Sequence, residues 1–288
     1  MGLGSVKVKG KKFNVQEQLG LIRLSVNHMD IVEISEIKGL NKLKNVTSLD
    51  LSNNKIKEFS GLEVLPNLQQ LHFSNNQFKV IDGLESLTKL DRIFLNGNQI
   101  TELKGLESLN NLIWLEINNN KISEIKGLDS LTNLIKLTLI GNQIKEIKGL
   151  ENLFNLVALD LNRNQITEIK NLDKLTNLER LFLAYNQISE IKGLDTLTKL
   201  TVLYLNNNNI KEIKNLDSLI NLETLYLDTN QLTSLNNLES FEQFKKLKVL
   251  FLGMNPIEGE EKRFAKDNIE RERVVELLQS YREWKKTL

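Results

Sequence analysis

Apolar residues recur along most of the chain in two alternating patterns. A short stretch alternates apolar and polar residues as a half-buried strand does, and the next stretch places isoleucine or leucine at about every third position. In one cycle, Leu112, Leu115 and Ile117 belong to the strand-like part, and Ile122 opens the following part. Each cycle therefore predicts one strand followed by a short helical or 3-10 return.

The cycle has a fixed length, which asparagine marks. Asparagines recur every 22 residues from Asn54 to Asn230, and Asn255 follows after 25 residues. We call these residues the marker asparagines. A repeat this short cannot bury its own leucines, so the repeats must stack into a solenoid with their strands in one parallel sheet. We expect the asparagine amides to satisfy backbone groups where the chain turns.

A second column of the repeat accepts only glycine or asparagine. These residues tolerate positive φ, so we expect one left-handed residue in each repeat. The Glu and Lys of the recurring Glu-Ile-Lys triplets, such as Glu124 and Lys126 or Glu190 and Lys192, are expected to form solvated stripes of opposite charge. The column comprises Gly39, Gly61, Gly83, Gly105, Gly127, Gly149, Asn171, Gly193, Asn215 and Asn237.

The sequence around each marker asparagine follows the pattern Leu-x-x-Leu-x-Leu-x-x-Asn-x-Ile, which resembles the leucine-rich repeat. Its 22-residue variant is similar to the repeats of the leucine-rich regulatory subunit of type 1 protein phosphatase, the spliceosomal A-prime protein and the bacterial internalins. Asn255-Pro256-Ile257, a charged stretch and a terminal helix together resemble the cap of the phosphatase-subunit type. The resemblance implies an α/β solenoid, a horseshoe with the parallel sheet on its concave face and short helical or 3-10 returns on its convex face.

The N-terminal part departs from the repeat. We expect an extension over residues 1–18 and a solenoid over residues 19–258, whose first repeat is Leu19, Ile22, Leu24 and Asn27 with a five-residue insertion before Gly39. The extension can form a capping hairpin that turns at Gly10-Lys11, with Val8 opposite Phe13 and Val6 opposite Val15. The alternative is a disordered basic tail, because four lysines cluster there: Lys7, Lys9, Lys11 and Lys12.

The C-terminal part, residues 259–288, is predicted to form a capping helix. Asp267 and Glu270 have the spacing of a capping box. The residues that follow at helical spacing, whose aromatic members we expect to be buried, are Val274, Leu277, Leu278, Tyr281, Trp284 and Leu288.

Composition and charge exclude several functions. The 38 Lys and Arg balance 37 Asp and Glu to a net charge of +1, which argues against nucleic-acid and membrane partners. There is no cysteine, and the two histidines, His28 and His72, are isolated, so we predict no metal, no cofactor and no catalytic residues. The lack of cysteine and of a hydrophobic leader leads us to expect a cytoplasmic protein, and we expect a monomer.

Function should lie on the concave face, where the residues flanking the strand leucines point. Aromatic residues and arginines gather there, as they do in protein interfaces, whereas the alternative is that these large side chains only shield one another. We predict a non-catalytic interaction module whose partner is a protein, with a phosphatase or a small GTPase as candidates. The alternative is a secreted or cell-surface adhesion module of internalin type. The predicted partner-binding residues are Arg92, Phe94, Trp114, Glu116, Asp160, Arg180, Phe182, Tyr185, Tyr204, Tyr226, Asp228 and Phe251.

Overall fold

The computed structural model describes residues 3–235, 244–264, 280–281 and 283–286. The chain forms two compact units, Met1–Gln143 and Ile144–Leu288, which we call unit 1 and unit 2. Several residues with a predicted role lie outside the described residues: Asn237, Asp267, Glu270, Val274, Leu277, Leu278 and Leu288.

Unit 1 begins with an antiparallel hairpin, β1–β2, and continues into a sheet in which β3 pairs antiparallel with β4. From β4 to β9 each strand pairs in parallel with the next strand along the chain. The strands are β1 (Ser5–Val8), β2 (Lys11–Asn14), β3 (Gln16–Gln18), β4 (Leu21–Ser25), β5 (Ser48–Asp50), β6 (Gln70–His72), β7 (Arg92–Phe94), β8 (Trp114–Glu116) and β9 (Lys136–Thr138).

Unit 2 contains a run of parallel strands, each paired with the next along the chain. The strands are β10 (Ala158–Asp160), β11 (Arg180–Phe182), β12 (Val202–Tyr204), β13 (Thr224–Tyr226) and β14 (Val249–Phe251). The predicted repeat of strand and return is therefore confirmed in both units.

The returns contain little helix. Among the described residues they include 3-10 helices at Ile34–Glu36, Leu40–Lys42, Leu62–Val64 and Gly259–Phe264. Most of the others are single turns closed by a backbone hydrogen bond between leucines three residues apart, such as Leu131 N to Leu128 O at 3.0 Å. The period of three places each such leucine on the inner side of the turn, where it is buried.

The marker asparagines fasten each repeat to its neighbours. In Asn76, Nδ2 donates to the carbonyl oxygens of Leu51 at 3.0 Å and Phe73 at 3.2 Å. Its Oδ1 accepts a hydrogen bond from the backbone N–H of Ile56 at 3.0 Å. One buried amide thus satisfies backbone groups of two repeats, as predicted.

The glycine and asparagine column is left-handed at each of its described positions, as predicted. At Gly105 a Cβ atom would collide with the carbonyl oxygen of Ile81, so space as well as conformation requires glycine there. Asn171, with φ 58°, instead uses its side chain, whose Nδ2 donates to Ile147 O at 2.7 Å.

The N-terminal hairpin exists, but the predicted register was wrong. Val6 lies opposite Phe13 and Val8 opposite Lys11, so the turn is Lys9-Gly10. Lys9 and Gly10 have φ values of 48° and 81°. A two-residue turn with both φ values positive matches the twist of the strands and favours glycine at its second position, which fixes this register.

The predicted register of the first repeat was also wrong. Leu19 lies in the turn between β3 and β4 and is 96% exposed. Leu24 instead pairs with Leu49, and both Leu24 and Val26 are fully buried. Leu24 and Leu49 are 25 residues apart, as are Leu225 and Leu250 at the other end of the repeats. The first repeat is therefore three residues longer than the 22-residue repeats, and the predicted five-residue insertion was wrong.

At the C-terminus, residues 280, 281 and 283–285 are helical. The Tyr281 ring is buried, as expected, and contacts Phe264 edge-on, with centroids 5.3 Å apart. Its hydroxyl donates to Leu235 O at 2.8 Å, so this segment closes the end of unit 2.

Candidate partner-binding face

The middle residue of each repeat strand is buried, and in most strands the residues on either side of it are partly exposed. We call the side of each sheet that carries these flanking residues the strand face. Parallel register aligns equivalent residues of successive strands, so that Phe182 lies opposite Tyr204. The predicted columns of flanking residues are therefore real columns in each unit.

In unit 2 the central column carries four aromatic rings, which we call the aromatic ridge: Phe182, Tyr204, Tyr226 and Phe251. Their neighbouring centroids are 4.9, 4.2 and 4.3 Å apart. All four side chains are only partly buried. Because rings in this series pack on one another, their edges and the tyrosine hydroxyls remain as the groups offered to a partner.

The Tyr204 hydroxyl stays protonated across the physiological range. Burial, together with the hydrogen bond between Tyr204 and Tyr226, raises the pKa of Tyr204 to about 12. A protonated hydroxyl can donate a hydrogen bond, so the ridge combines apolar area with polar groups.

Charged residues lie beside the aromatic ridge. Asp160 pairs with Phe182 across β10 and β11, and its Oδ1 accepts a hydrogen bond from Asn162 N at 3.0 Å. Asp228 is partly buried two residues beyond Tyr226. Arg180, which precedes Phe182 by two residues in β11, is exposed and makes no cation–π contact with the described residues.

A row that the sequence analysis largely missed follows the strands. It occupies the position immediately before each marker asparagine and has positive φ. Unit 1 places only asparagine or glycine there, at Asn53, Asn75, Gly97, Asn119 and Gly141. Unit 2 places larger side chains there, at Arg163, Tyr185 and Met254, besides Asn207 and Thr229.

Two of these larger residues form an exposed pair beside the aromatic ridge. The Arg163 guanidinium lies 4.7 Å from the Tyr185 ring centroid, and Tyr185 is 47% exposed. Met254 is 80% exposed. Of the three, the sequence had singled out only Tyr185. The sequence does contain a signal for all three. In this column arginine, tyrosine or methionine replaces the asparagine or glycine that tolerates positive φ.

The residues predicted in unit 1 lie together, and the polar groups of Trp114 and Glu116 are satisfied within this patch. Trp114 Nε1 donates to Glu116 Oε1 at 2.8 Å, and the Lys136 ammonium lies 4.0 Å from the Trp114 ring centroid. Phe94 meets Trp114 edge-on at 5.3 Å, and the Arg92 guanidinium lies 5.9 Å from the same indole. This patch offers a partner fewer unsatisfied groups than its composition suggests.

His72 lies on the strand face next to this patch. Its ring stacks on Phe94, with centroids 4.5 Å apart, and burial lowers the pKa of His72. Within the described residues, no group of three or more Asp, Glu or His side chains is placed to hold a metal ion.

Models of three repeat families match the chain. They are described as "Leucine Rich Repeat" at residues 45–65, "Leucine Rich repeats (2 copies)" at residues 66–108 and "Leucine-rich repeat" at residues 157–286. This chain is a leucine-rich repeat protein. No curated protein matches this leucine-rich repeat protein.

Solved structures share its fold. An internalin, inlF, from Listeria monocytogenes is 26% identical with a TM-score of 0.56, and the match covers 82% of each chain. TLR13, solved in complex with ssRNA13, is 19% identical with a TM-score of 0.63, and the match covers 81% of this chain but 40% of TLR13. In the described part of this leucine-rich repeat protein, no helix has the length and apolar character needed to cross a membrane.

Proposed function

We propose that this leucine-rich repeat protein is a non-catalytic module that binds a folded protein partner through the strand face of unit 2. One observation carries the proposal: the four rings of the aromatic ridge lie side by side on the solvent side of four paired strands. Tyr and Trp are enriched among the residues that dominate binding energy in protein interfaces. Exposure of an apolar column to water is unfavourable, and burial against a partner would remove that cost.

The groups around the aromatic ridge support a protein partner over a nucleic acid. Arg163 and Arg180 are accompanied on the same face by Asp160 and Asp228, so this surface lacks the basic stripe that phosphate contacts need. The ring faces are also largely occupied by neighbouring rings, which leaves little room for base stacking.

For the partner class we propose a phosphatase or a small GTPase regulated or scaffolded by this protein in the cytoplasm. This step rests on the resemblance of the repeat and cap to the phosphatase regulatory subunit and on the pairing of an acidic with an aromatic residue, Asp160 with Phe182. The lack of cysteine suits a reducing compartment. We propose that the unbound protein is a monomer, which light scattering would test.

The test compares wild-type protein with a triple variant of the aromatic ridge, Phe182→Ala, Tyr204→Ala and Tyr226→Ala, in pull-downs from lysate of the source cells. The matched control is Phe154→Ala with Ile220→Ala, which removes exposed apolar side chains of unit 2 outside the strands. A protein retained by wild type and control but lost by the triple variant supports the proposal, provided that circular dichroism shows the variant folded. Equal retention by all three contradicts it, and purified phosphatase and small GTPase then test the partner class directly.

A second candidate function is adhesion at a cell surface, which is the alternative that the sequence analysis gave: a secreted or cell-surface module of internalin type. The match to an internalin along 82% of both chains favours it. Antibody labelling of intact source cells distinguishes the two, because an adhesion module is labelled without permeabilisation and a cytoplasmic module is not.

A further inference from the structure

The N-terminal hairpin carries a concentrated positive charge far from the aromatic ridge in sequence. Residues 3–15 contain four lysines, Lys7, Lys9, Lys11 and Lys12, and no acidic residue. All four lysine side chains are exposed. The chain as a whole is almost neutral, so this charge is a local feature of unit 1.

Three lysines stand in a row across adjacent backbone segments. Lys7 lies directly opposite Lys12 in the hairpin and directly opposite Lys38 on its other side. Directly opposite residues point to the same face with Cβ atoms about 5 Å apart, and like charges in that arrangement are destabilising. The row therefore opposes folding of the hairpin instead of supporting it.

The lysines of this row have few countercharges among the described residues. Lys38 Nζ donates to Ser35 O at 3.3 Å, and its charge lies near Glu36, whose pKa is lowered mainly by hydrogen bonds from the Glu33 and Val32 backbone. Lys7 and Lys12 make no ion pair with any described residue.

The hairpin also has an open edge beside Lys12. Lys7 exchanges both of its backbone hydrogen bonds with Lys38, at 3.0 and 2.9 Å, so it has neither group left for Lys12. Lys7 and Lys12 are thus a non-hydrogen-bonded pair, and the Lys12 N–H and C=O point away from β1. Among the described residues β2 is paired by hydrogen bonds with β1 alone, although β4 also lies near it. The outward groups of Lys12 therefore face an edge to which no strand is paired.

We propose that an extended acidic segment of a partner protein adds to β2 as a further strand. Its backbone would pair with the Lys12 N–H and C=O, and its acidic side chain opposite Lys12 would lie on the face of the lysine row. Strand addition of this kind takes affinity from main-chain hydrogen bonds and specificity from alternate side chains. The site is distinct from the aromatic ridge and does not depend on the function proposed for it.

The probe is a short fluorescein-labelled peptide of alternating glutamate and threonine, and the readout is fluorescence anisotropy with the full-length protein. We expect binding that weakens as salt is added, because exposed charges are screened. Lys7→Gln and Lys12→Gln should each weaken binding about two- to fivefold, the range that exposed charge pairs provide. Lys42→Gln, an exposed lysine outside the hairpin, should leave it unchanged.

The backbone part of the proposal has its own test. Lys12→Pro and Lys12→Gln both remove the charge, but only proline removes the outward N–H, which β1 does not use. We expect Lys12→Pro to bind about fivefold more weakly than Lys12→Gln, the loss of about one hydrogen bond. A peptide with N-methylated glutamates should also fail to bind. Thermal melting shows whether each variant is folded.

Three results would overturn the proposal. The first is no binding of the alternating peptide at low salt, which would leave the lysines as protection of the strand edge against self-association. The second is equal binding by Lys12→Pro and Lys12→Gln or by the N-methylated peptide, which would reduce the site to a general anion surface. The third is binding of phosphatidylserine vesicles without binding of the peptide, which would make the occupant a membrane.

Discussion

The ring of Tyr204 lies parallel to the ring of Tyr226, with centroids 4.2 Å apart and planes 5° apart. This stack forms the middle of the aromatic ridge and links β12 to β13. Its burial and its hydrogen bond hold the Tyr204 hydroxyl in the protonated form far into the alkaline range.

Removal of the Tyr226 hydroxyl should therefore change the titration of Tyr204. We expect Tyr226→Phe to lower the pKa of Tyr204 from about 12 toward its ordinary value of 10.0, because one of the causes of the shift is lost while the ring remains. Ultraviolet absorbance during alkaline titration measures the tyrosinate that forms. Tyr204→Phe serves as the assignment control, because it should remove the same transition that shifts in Tyr226→Phe. An unchanged transition in Tyr226→Phe would contradict the described contact.

The marker asparagines should contribute more to stability than asparagines on the surface of the same repeat. Asn120 Nδ2 donates to Leu95 O and Asn118 O, each at 3.0 Å, and its Oδ1 accepts from Ile100 N at 2.9 Å. Asn120→Ala leaves these buried backbone groups unsatisfied, so we expect the free energy of unfolding to fall by about 3 kcal/mol.

Asn111 is the matched control for Asn120. It is exposed, and its Nδ2 donates to Thr88 O at 2.8 Å, where water can replace it. Asn111→Ala should lower the free energy of unfolding by about 1 kcal/mol or less, measured by urea denaturation of both variants. Similar losses in the two variants would show that the marker asparagines do not hold the repeats together.

The repeated features could be predicted from sequence because the same residue type occurs at the same position in many repeats. The roles of Asn76 and Gly105 follow from columns in which one residue type returns at every repeat, and physical chemistry leaves few reasons for asparagine or glycine there. The fold, the strand positions and the columns of the strand face followed directly.

Features present in one copy were predicted less well: the N-terminal hairpin exists, but its register and that of the first repeat were wrong. Leu19 and Leu24 both fit the first strand motif, and only the packed structure shows that Leu24 occupies the core while Leu19 lies in a turn. Long side chains raise the same difficulty, because an arginine can reach several neighbours. Arg163, not Arg180, packs on an aromatic ring of unit 2.

The row of positive-φ residues in unit 2 predicts a conflict between stability and binding. Met254 has φ 53° and is 80% exposed, so its side chain adds strain without being buried. We expect Met254→Asn to raise the free energy of unfolding by about 0.5 to 1 kcal/mol, because asparagine tolerates the left-handed region. Urea denaturation measures the change.

Met254→Ala separates the backbone effect from the loss of the side chain. Alanine is no better than methionine at positive φ, so this variant should not gain stability. Tyr185→Asn should gain less than Met254→Asn, because it also loses the contact with Arg163. If Met254→Ala were stabilised as much as Met254→Asn, backbone strain would not be the cause. If Met254 contacts the partner, Met254→Asn should also weaken binding in the pull-down described above.

Asp50 and Asp91 should give unit 1 two pH dependences of opposite sign. Burial alone would raise the pKa of Asp50, but hydrogen bonds from Asn27, Ser52 and Arg23 outweigh it and hold the pKa below 3.8. A carboxyl whose pKa is lowered in the folded protein stabilises it above the unfolded pKa, and that contribution is lost as pH falls through the folded value. Asp50→Asn should therefore weaken the loss of stability that acid causes.

Asp91 provides the contrast, since burial raises its pKa despite the nearby charge of Arg92. Its contribution is fully present below pH 3.8 and is lost as pH rises through the folded pKa, because the folded protein then contains a partly buried charge. Asp91→Asn should therefore raise stability at neutral pH, where Asp50→Asn lowers it. Urea denaturation over a pH series measures both variants. If Asp50→Asn raised stability at neutral pH, the hydrogen bonds to Asp50 would not outweigh its burial. If Asp91→Asn lowered stability at neutral pH, burial would not raise the pKa of Asp91.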